Sequence, residues 1–422
     1  PTGHADRGPE AHPFLAPAAP GKDRMTPPAP DPWRAPFGEV VLYELLRHVW
    51  LGAARAVLNL DPSALLPPGN VFDAAARAPQ GVVVLDGYRA YPWALRPGQT
   101  AHFRDHICHR FDGRPSNPRW CIAPAKAPPD VTWRMLRIAG VPGETAPLLE
   151  YWRCMALRHP TRNVARIAPK AALVEDASLS ALVAGFGGPA PQRPAPVALR
   201  AGSTTNRTGS VTTMKNEGPF IMEGLAFLRA IGGDSVLVFT NDCTDGTDRL
   251  LDILQKRGCV HHRANPFRET GGRPQHAALK AADDDPFVQA LDWVVCMDVD
   301  EFINIHTGDG TLAALYDAVP DANMISMTWR LFGNGGIDTF SDDFVTRQFT
   351  RCAPEFIRKP HQAWGFKTLA CNTGIFRKLG VHRPKGLRPQ LVDALNWVNG
   401  SGQRMPVREY RNAWRSNSGT YG

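Results

Sequence analysis

The chain has 422 residues, 43% of them hydrophobic and 21% charged, with a net charge of +8 at pH 7. That composition excludes a fibrous or wholly disordered protein, and the length suits two domains of roughly 100–200 residues each. The surplus Lys and Arg are scattered rather than gathered in a run, and no nucleic-acid-binding motif accompanies them. They read as a solvated basic surface, or as one that attracts a nucleotide diphosphate, an acidic polysaccharide or, peripherally, a membrane surface.

Residues 1–36 are rich in Pro, Ala and Gly and are expected to form a disordered tail. The opening PTGHADRGPE lacks the basic start and apolar core of a signal peptide. The chain does not begin with Met and stops at Tyr421-Gly422, as a fragment would.

Residues 37–184 read as an α+β accessory region of no recognised family. An amphipathic helix is expected over 40–58, where Glu44, Arg47, His48 and Arg55 are too many charges for a membrane span. A strand follows over Val82–Asp86, with extended segments near Thr132–Ile138. His102, His106, Cys108 and His109, with Cys121 further on, are zinc-ligand types. Their spacing fits no closed zinc site, and the segment reads as a polar loop. Eight cysteines are too few for a disulfide scaffold in this length. With Cys259 and Cys296 in apolar surroundings, they suit reduced thiols and a cytoplasmic location. The breaker-rich stretch 185–204 reads as an interdomain linker.

From 205 to 400 the pattern becomes alternating strands and helices. Strands are expected at Val211–Met214, Ser235–Thr240, Val260–Arg263 and Trp293–Met297. Helices are expected at Pro219–Ile231, Thr247–Arg257 and Gln275–Ala282. Continuous apolar strands separated by helices imply a mainly parallel sheet covered on both faces, whose ligands bind at the carboxyl ends of the strands. Residues 401–422 form a C-terminal extension.

Three polar clusters follow three of these strands: Lys215-Asn216-Glu217-Gly218, Asn241-Asp242-Cys243-Thr244-Asp245, and Asp298-Val299-Asp300-Glu301. Two carboxylates one residue apart at a strand end can both address one hard cation, Mn²⁺ or Mg²⁺, that keeps positions open for phosphate oxygens. The alternative is a solvated acidic turn. Asp242 suits a contact to a ribose or base, and Asp245 suits helix capping. Asn216 and Glu217 suit either a nucleotide pocket or the first turn of the next helix.

The segments TMKNEGPFIMEGLAFLRAIGGDSVLVFTNDCTDGTDRLLDIL, ALDWVVCMDVDEFINI and MTWRLFGNGG, in this order, resemble the family-2-like glycosyltransferases of the GT-A fold, in the bacterial branch related to family 92. The resemblance covers about 211–385. It implies a GT-A sheet and a UDP-, GDP- or dTDP-sugar donor. It also implies a carbohydrate or glycoconjugate acceptor and a divalent metal on Asp298 and Asp300. Residues around Trp329, Phe332, Gly333 and Gly336 would face the acceptor. FKTLACNTGIFRKLGVHRPK matches the family's later block and points to Lys367, His382 and Lys385, with His382 as third metal ligand or diphosphate contact and the lysines pairing with phosphate.

Two departures stand out. NDCTDGT replaces a DDGSTDGT-like run, and related proteins continue past this chain's end with a His-containing segment. An inverting transfer also needs a carboxylate base, for which Asp338 and Asp342 are candidates, with Asp343 and Glu355 nearby. The implied activity is sugar transfer in polysaccharide or glycoconjugate synthesis. The rivals are a nucleotidyltransferase, which KNEGP fits poorly, and a sugar-nucleotide-binding protein without catalysis.

Overall fold

The computed structural model describes residues 42–141, 148–160, 163–200, 205–355 and 365–410, together with 357, 359 and 363. The expected tail 1–36, linker residues 201–204 and the end of the C-terminal extension lie outside the described residues. The chain divides into two compact units at Pro194/Ala195.

The first unit is built on a five-stranded sheet, ordered Val57–Asn59, Ser116–Ile122, Val82–Ala90, Leu148–Cys154, Ala64–Leu65. Its central strand pairs antiparallel with Ser116–Ile122 and parallel with Leu148–Cys154. Val83, Leu85, Cys121 and Tyr151 pack with Val71 and Ala75 of the helix Val71–Arg77, and Val82, Trp120, Ile122 and Trp133 form a second cluster.

The helix expected over 40–58 is shorter. Residues 42–46 are α-helical, Arg47–Leu51 is π-helical, and Val57–Asn59 has become an edge strand. Gly52 caps the helix, where a Cβ would stand 2.7 Å from the Arg47 carbonyl oxygen of the helix's own last turn.

Behind the sheet, Asp61 accepts hydrogen bonds from Arg119 at 2.9 Å, Arg153 at 2.6 Å and Arg158 at 3.2 Å. Arg119 and Arg153 are buried. Burial by itself would raise the Asp61 pKa, but Arg119 and Arg153 outweigh it and hold the carboxyl below its usual range.

The His102–His109 segment is not a polar surface loop. Asp105, His106, Ile107 and Cys108 are all buried. The His106 Nδ1 lies 2.9 Å from the His102 carbonyl and its Nε2 lies 3.2 Å from the Ala156 amide. That pattern defines a neutral imidazole donating at Nδ1 and accepting at Nε2. Burial pushes its pKa down from 6.5 to about 4. The unfolded chain therefore takes up a proton near pH 6.5 that the folded chain refuses until about pH 4. The stability is complete above pH 6.5 and is lost as pH falls toward 4, a drop of ~3 kcal/mol at about 1.4 kcal/mol per unit. Melting curves from pH 7 to 4 should show a shallower decline for His106→Gln than for the wild type; parallel curves would refute the assignment.

Half of the expected linker is fastened down. Arg104 donates to the Gly188 carbonyl at 2.6 Å, Phe103 stacks on Phe186, and Arg193 pairs with Glu175. Arg200, in the second unit, donates its amide to the Thr373 carbonyl at 2.8 Å. None of the eight cysteines is in a disulfide, and among the described residues no helix is long and apolar enough to cross a membrane.

The second unit is a seven-stranded sheet of β1 (Thr208–Met214), β2 (Ser235–Thr240), β3 (His261–Ala264), β4 (Trp293–Cys296), β5 (Met324–Thr328), β6 (Phe366–Cys371) and β7 (Trp397–Asn399). The spatial order is β3-β2-β1-β4-β6-β5-β7. β3, β2, β1 and β4 are mutually parallel, β6 runs antiparallel to both β4 and β5, and β7 runs parallel to β5.

Alternation along the strands supplies two cores. Val236, Val238, Trp293 and Val295 meet helices α1 (Ile221–Ala230), α2 (Thr247–Lys256) and α4 (Leu312–Ala318). Leu237, Phe239 and Val294 meet α3 (Pro274–Ala282) on the other face. Both faces are dry, which is why β2 and β4 read as continuous apolar runs in the sequence.

Candidate functional site

After β1 the chain turns to β2 and β3 on one side, and after β3 it crosses back to lay β4 on the other side of β1. Such a reversal opens a crevice at the carboxyl ends of β1 and β4. The loop after β1 carries Asn216 and Glu217, and the loop after β4 carries Asp298 and Asp300.

Both Asp298 and Asp300 are exposed at the tip of β4. Between them, Val299 lies against the first turn of α1, where a Cβ on Gly224 would stand 2.8 Å from the Val299 carbonyl oxygen. Gly224 is required there because only a residue without a side chain lets the helix approach the acidic tip.

Behind the tip, Glu301 Oε2 accepts the Asp298 amide at 2.9 Å and the Lys367 ammonium at 2.8 Å, and Lys367 Nζ stands 3.5 Å from Asp298 Oδ2. Burial raises the Glu301 pKa, partly offset by Lys367. The Lys367 side chain is only 6% exposed. Its ammonium therefore points at two carboxylates under the tip rather than into solvent, where the sequence had it meeting phosphate. It also lies 6.0 Å from the centroid of the Trp329 ring. The direction of β6 explains this placement. Trp293 pairs with Cys371 and Val294 with Ala370, and the same register continued past Cys296 brings Lys367 beside Met297 and Asp298.

His382 packs edge-on against Trp329, with centroids 5.4 Å apart, and its Nδ1 lies 3.1 Å from the Phe366 carbonyl. Burial lowers its pKa, and Lys367 pushes the same way.

Glu217 is half-buried, and its pKa is raised first by that burial and then by the charges of Asp300, Asp298 and Asp245. The carboxylates after β1, β2 and β4 thus feel one another. Asn216, at φ 59°, accepts the Thr244 amide at 2.8 Å and latches the loops after β1 and β2 together. Asp242, at φ 49°, is engaged by Arg268 at 2.9 and 3.0 Å. Asp245 accepts the Thr247 amide at 2.9 Å and the Gly218 amide at 3.3 Å, joining the start of α2 to the loop after β1.

Lys385 is exposed on the short hairpin of Phe376–Lys378 and Lys385–Leu387. Asp338 is exposed and accepts the Asn334 amide nitrogen at 3.2 Å. Asp342 is exposed, and no partner is found for it among the described residues. The segment after Asp343 is tied to α1. Glu223 accepts the amides of Val345 at 2.6 Å and Thr346 at 3.0 Å, one residue from the Gly224 contact with Val299. Glu223 and Gly224 were not anticipated as site residues. A glycine inside the apolar helical pattern IMEGLAF was the signal that could have found them.

Among the described residues, no three His, Cys, Asp or Glu side chains converge on one metal position. The expected trio of Asp298, Asp300 and His382 is not gathered into such a group, although Asp298 is near enough to act on the His382 pKa. Two exposed carboxylates still fit Mg²⁺ or Mn²⁺. Mg²⁺ usually retains waters and takes one or two protein carboxylates plus phosphate oxygens. The cavity between Asp298, Lys367, Thr212 and Gln275 holds only about 10 Å³, so the edge is open rather than a deep pocket.

No protein-family model matches the chain, and no curated protein does. Solved structures do. S. aureus TarS 1–349 in complex with UDP is matched at 18% identity over 32% of this chain and 38% of that one, with a TM-score of 0.22. A mannosyltransferase from Pyrobaculum calidifontis, in complex with GDP-Man and Mn²⁺, is matched at 21% identity over 30% and 37%, with a TM-score of 0.23. Mannosyl-3-phosphoglycerate synthase from Rubrobacter xylanophilus is matched at 14% identity over 39% and 53%, with a TM-score of 0.24. The chain thus spans between 37% and 53% of the length of these three structures.

Proposed function

We propose that the second unit is a metal-dependent glycosyltransferase of the GT-A type that moves a sugar from a nucleotide-diphospho-sugar to an acceptor hydroxyl, with inversion. The observation that carries this reading is the pair of exposed carboxylates, Asp298 and Asp300, at the tip of β4 in the crevice where the strand order reverses.

Asp298 and Asp300 would hold Mn²⁺ or Mg²⁺, and that ion when bound supplies positive charge beside the leaving diphosphate. Glu301 and Lys367 fix the tip: the carboxylate takes the Asp298 amide, and the ammonium neutralises the buried side of the cluster. Glu217, whose carboxyl already senses Asp300 and Asp298, lines the donor side, with Asn216 holding its loop. Asp242 lies at the outer end of β2, where its pair with Arg268 would have to open or shift to admit a ribose hydroxyl. His382 and Lys385 border the diphosphate side.

Of the two candidate bases, Asp342 is the better placed chemically. Among the described residues it is unengaged, whereas Asp338 already accepts from Asn334. It also precedes the segment that Glu223 ties to α1. In that role its carboxylate takes the proton of the acceptor hydroxyl as the oxygen attacks the anomeric carbon.

The test is a screen of UDP-, GDP- and dTDP-sugars with Mn²⁺, following thermal stabilisation and product release. At a ligand concentration of about 100 times Kd, stabilisation should reach ~2.7 kcal/mol. Release of nucleoside diphosphate supports sugar transfer. Release of pyrophosphate from a nucleoside triphosphate and a sugar phosphate would instead show a nucleotidyltransferase, and neither stabilisation nor turnover with any donor would remove the enzyme reading.

A further inference from the structure

A cleft in the first unit is lined by residues of Val82–Ala90, of Leu148–Cys154 and of the loop around Arg114. It encloses about 410 Å³, within the range typical of small-ligand sites. Its floor is aromatic. Tyr88 and Trp152 are register partners on adjacent parallel strands, their rings 5.3 Å apart and tilted by 42°. His109 extends the wall, with its ring 6.5 Å from that of Trp152. Tyr88 is 38% exposed, unusual for a large aromatic ring on a central strand, so an apolar face is left in water.

The polar groups around this wall differ in how far they are already used. Arg110 forks onto Asp112 at 2.9 and 3.1 Å. Asp176 caps the helix Ala177–Ala184 through the Leu179 amide at 2.9 Å, and it stands 3.2 Å from His109. Glu150 accepts from the Tyr88 hydroxyl at 3.2 Å. Arg114, exposed on the lining, has no carboxylate partner among the described residues, while Arg89, next to Tyr88 on the strand, alternates to the face of its register partner Arg153. The cleft therefore offers one uncommitted guanidinium, that of Arg114, an aromatic face and two carboxylates with spare acceptor lone pairs.

Each part selects a ligand property. A flat ring face with C–H bonds packs on Tyr88 and Trp152. Hydroxyl groups donate to Glu150 and Asp176, whose charges at the same time oppose a polyphosphate chain. A planar carboxylate or a single sulfate matches a guanidinium fork. We infer that this cleft is a binding site for an anionic saccharide, one whose hydroxyl-bearing rings carry isolated negative charges. The inference concerns the first unit alone and does not depend on the activity proposed for the second.

The experiment is titration calorimetry of the full chain with a panel of acidic oligosaccharides bearing uronate, sialate or sulfate groups. Their carboxyl-reduced or desulfated counterparts and a short oligothymidylate complete the panel. At least one acidic saccharide should bind, its neutral counterpart about tenfold or more weaker. Arg114→Gln should lose a similar factor for the acidic form only. Tyr88→Ala should weaken both forms, and Asp298→Asn should change neither. All these side chains except Asp298 lie on the cleft surface, and circular dichroism of each variant checks that it is folded. Three results would overturn the inference: no acidic member binding, equal affinity for charged and neutral forms, or tighter binding of the oligothymidylate than of every saccharide.

Discussion

Asp298→Asn and Asp300→Asn should each lower Mn²⁺-dependent turnover of the nucleotide-sugar donor by about a hundredfold or more, while leaving the protein folded. The size follows from removing one of two carboxylates that fix the charge facing a departing diphosphate, where single electrostatic contacts contribute about 10²–10³ in rate. Folding should survive because both side chains are exposed and because Lys367 keeps its shorter contact, to Glu301 at 2.8 Å, when the Asp298 charge is gone. Initial rates of nucleoside diphosphate release, with and without EDTA, provide the measurement. Undiminished rates in both variants, or in excess chelator, would contradict the proposed role of the pair.

The second large effect belongs to stability. Asp61→Ala should destabilise the first unit by about 3–5 kcal/mol, because it strands Arg119 and Arg153, both buried, with no carboxylate to answer them. In a domain of this size that corresponds to a fall in Tm of roughly 10 °C. Asp73→Ala is the control. It removes a carboxylate whose partner Arg55 is 75% exposed, and a surface pair of that kind contributes about 0–1 kcal/mol. Calorimetric melts of the two variants side by side should separate them clearly. If Asp61→Ala melts within a degree or two of Asp73→Ala, the buried cluster is not what holds this unit together.

Much of the second unit could be read in the sequence because its strands are dry on both faces. Ser235–Thr240 and Trp293–Cys296 are short apolar runs bounded by polar clusters, and such runs have few other places to go in a folded chain. The helix Thr247–Lys256 was legible from its opposed polar and apolar sides and from Gly258 beyond its end.

The first unit was much less legible. Ala64–Leu65 is a two-residue strand whose partner, Leu148–Cys154, comes from elsewhere in the chain, and two residues carry no period to recognise; Thr132–Trp133 and Ile138–Ala139, which pair with each other, fall in the stretch that the sequence marked as extended. The stretch 40–58 misled for a related reason: its apolar spacing suits a helix throughout, but the helix is capped at Gly52 and the chain is extended by Val57.

Within the site, residue type was easier to read than partnership. Asn216 and Asp242 stood out as polar residues at strand ends. Both take the left-handed conformation that Asn and Asp tolerate best, and in the structure they bind their own neighbours, Thr244 and Arg268. Lys367 was legible as a cation of interest, but its burial under the acidic tip depends on β6 running against its neighbours, which no local pattern announces.

That opposed strand makes the site sensitive to slippage. The lysine and the aspartate it approaches arrive from opposite directions and meet only because two ladders stay aligned. Shifting one ladder by a single residue would send the ammonium to the far face, where Thr368 now meets Ser326, and leave Glu301 facing an empty position. Insertions in the helices or long loops leave this alignment alone. One added or lost residue between Cys296 and Asp298, or between Lys367 and Ala370, would uncouple the two halves without touching a single acidic side chain.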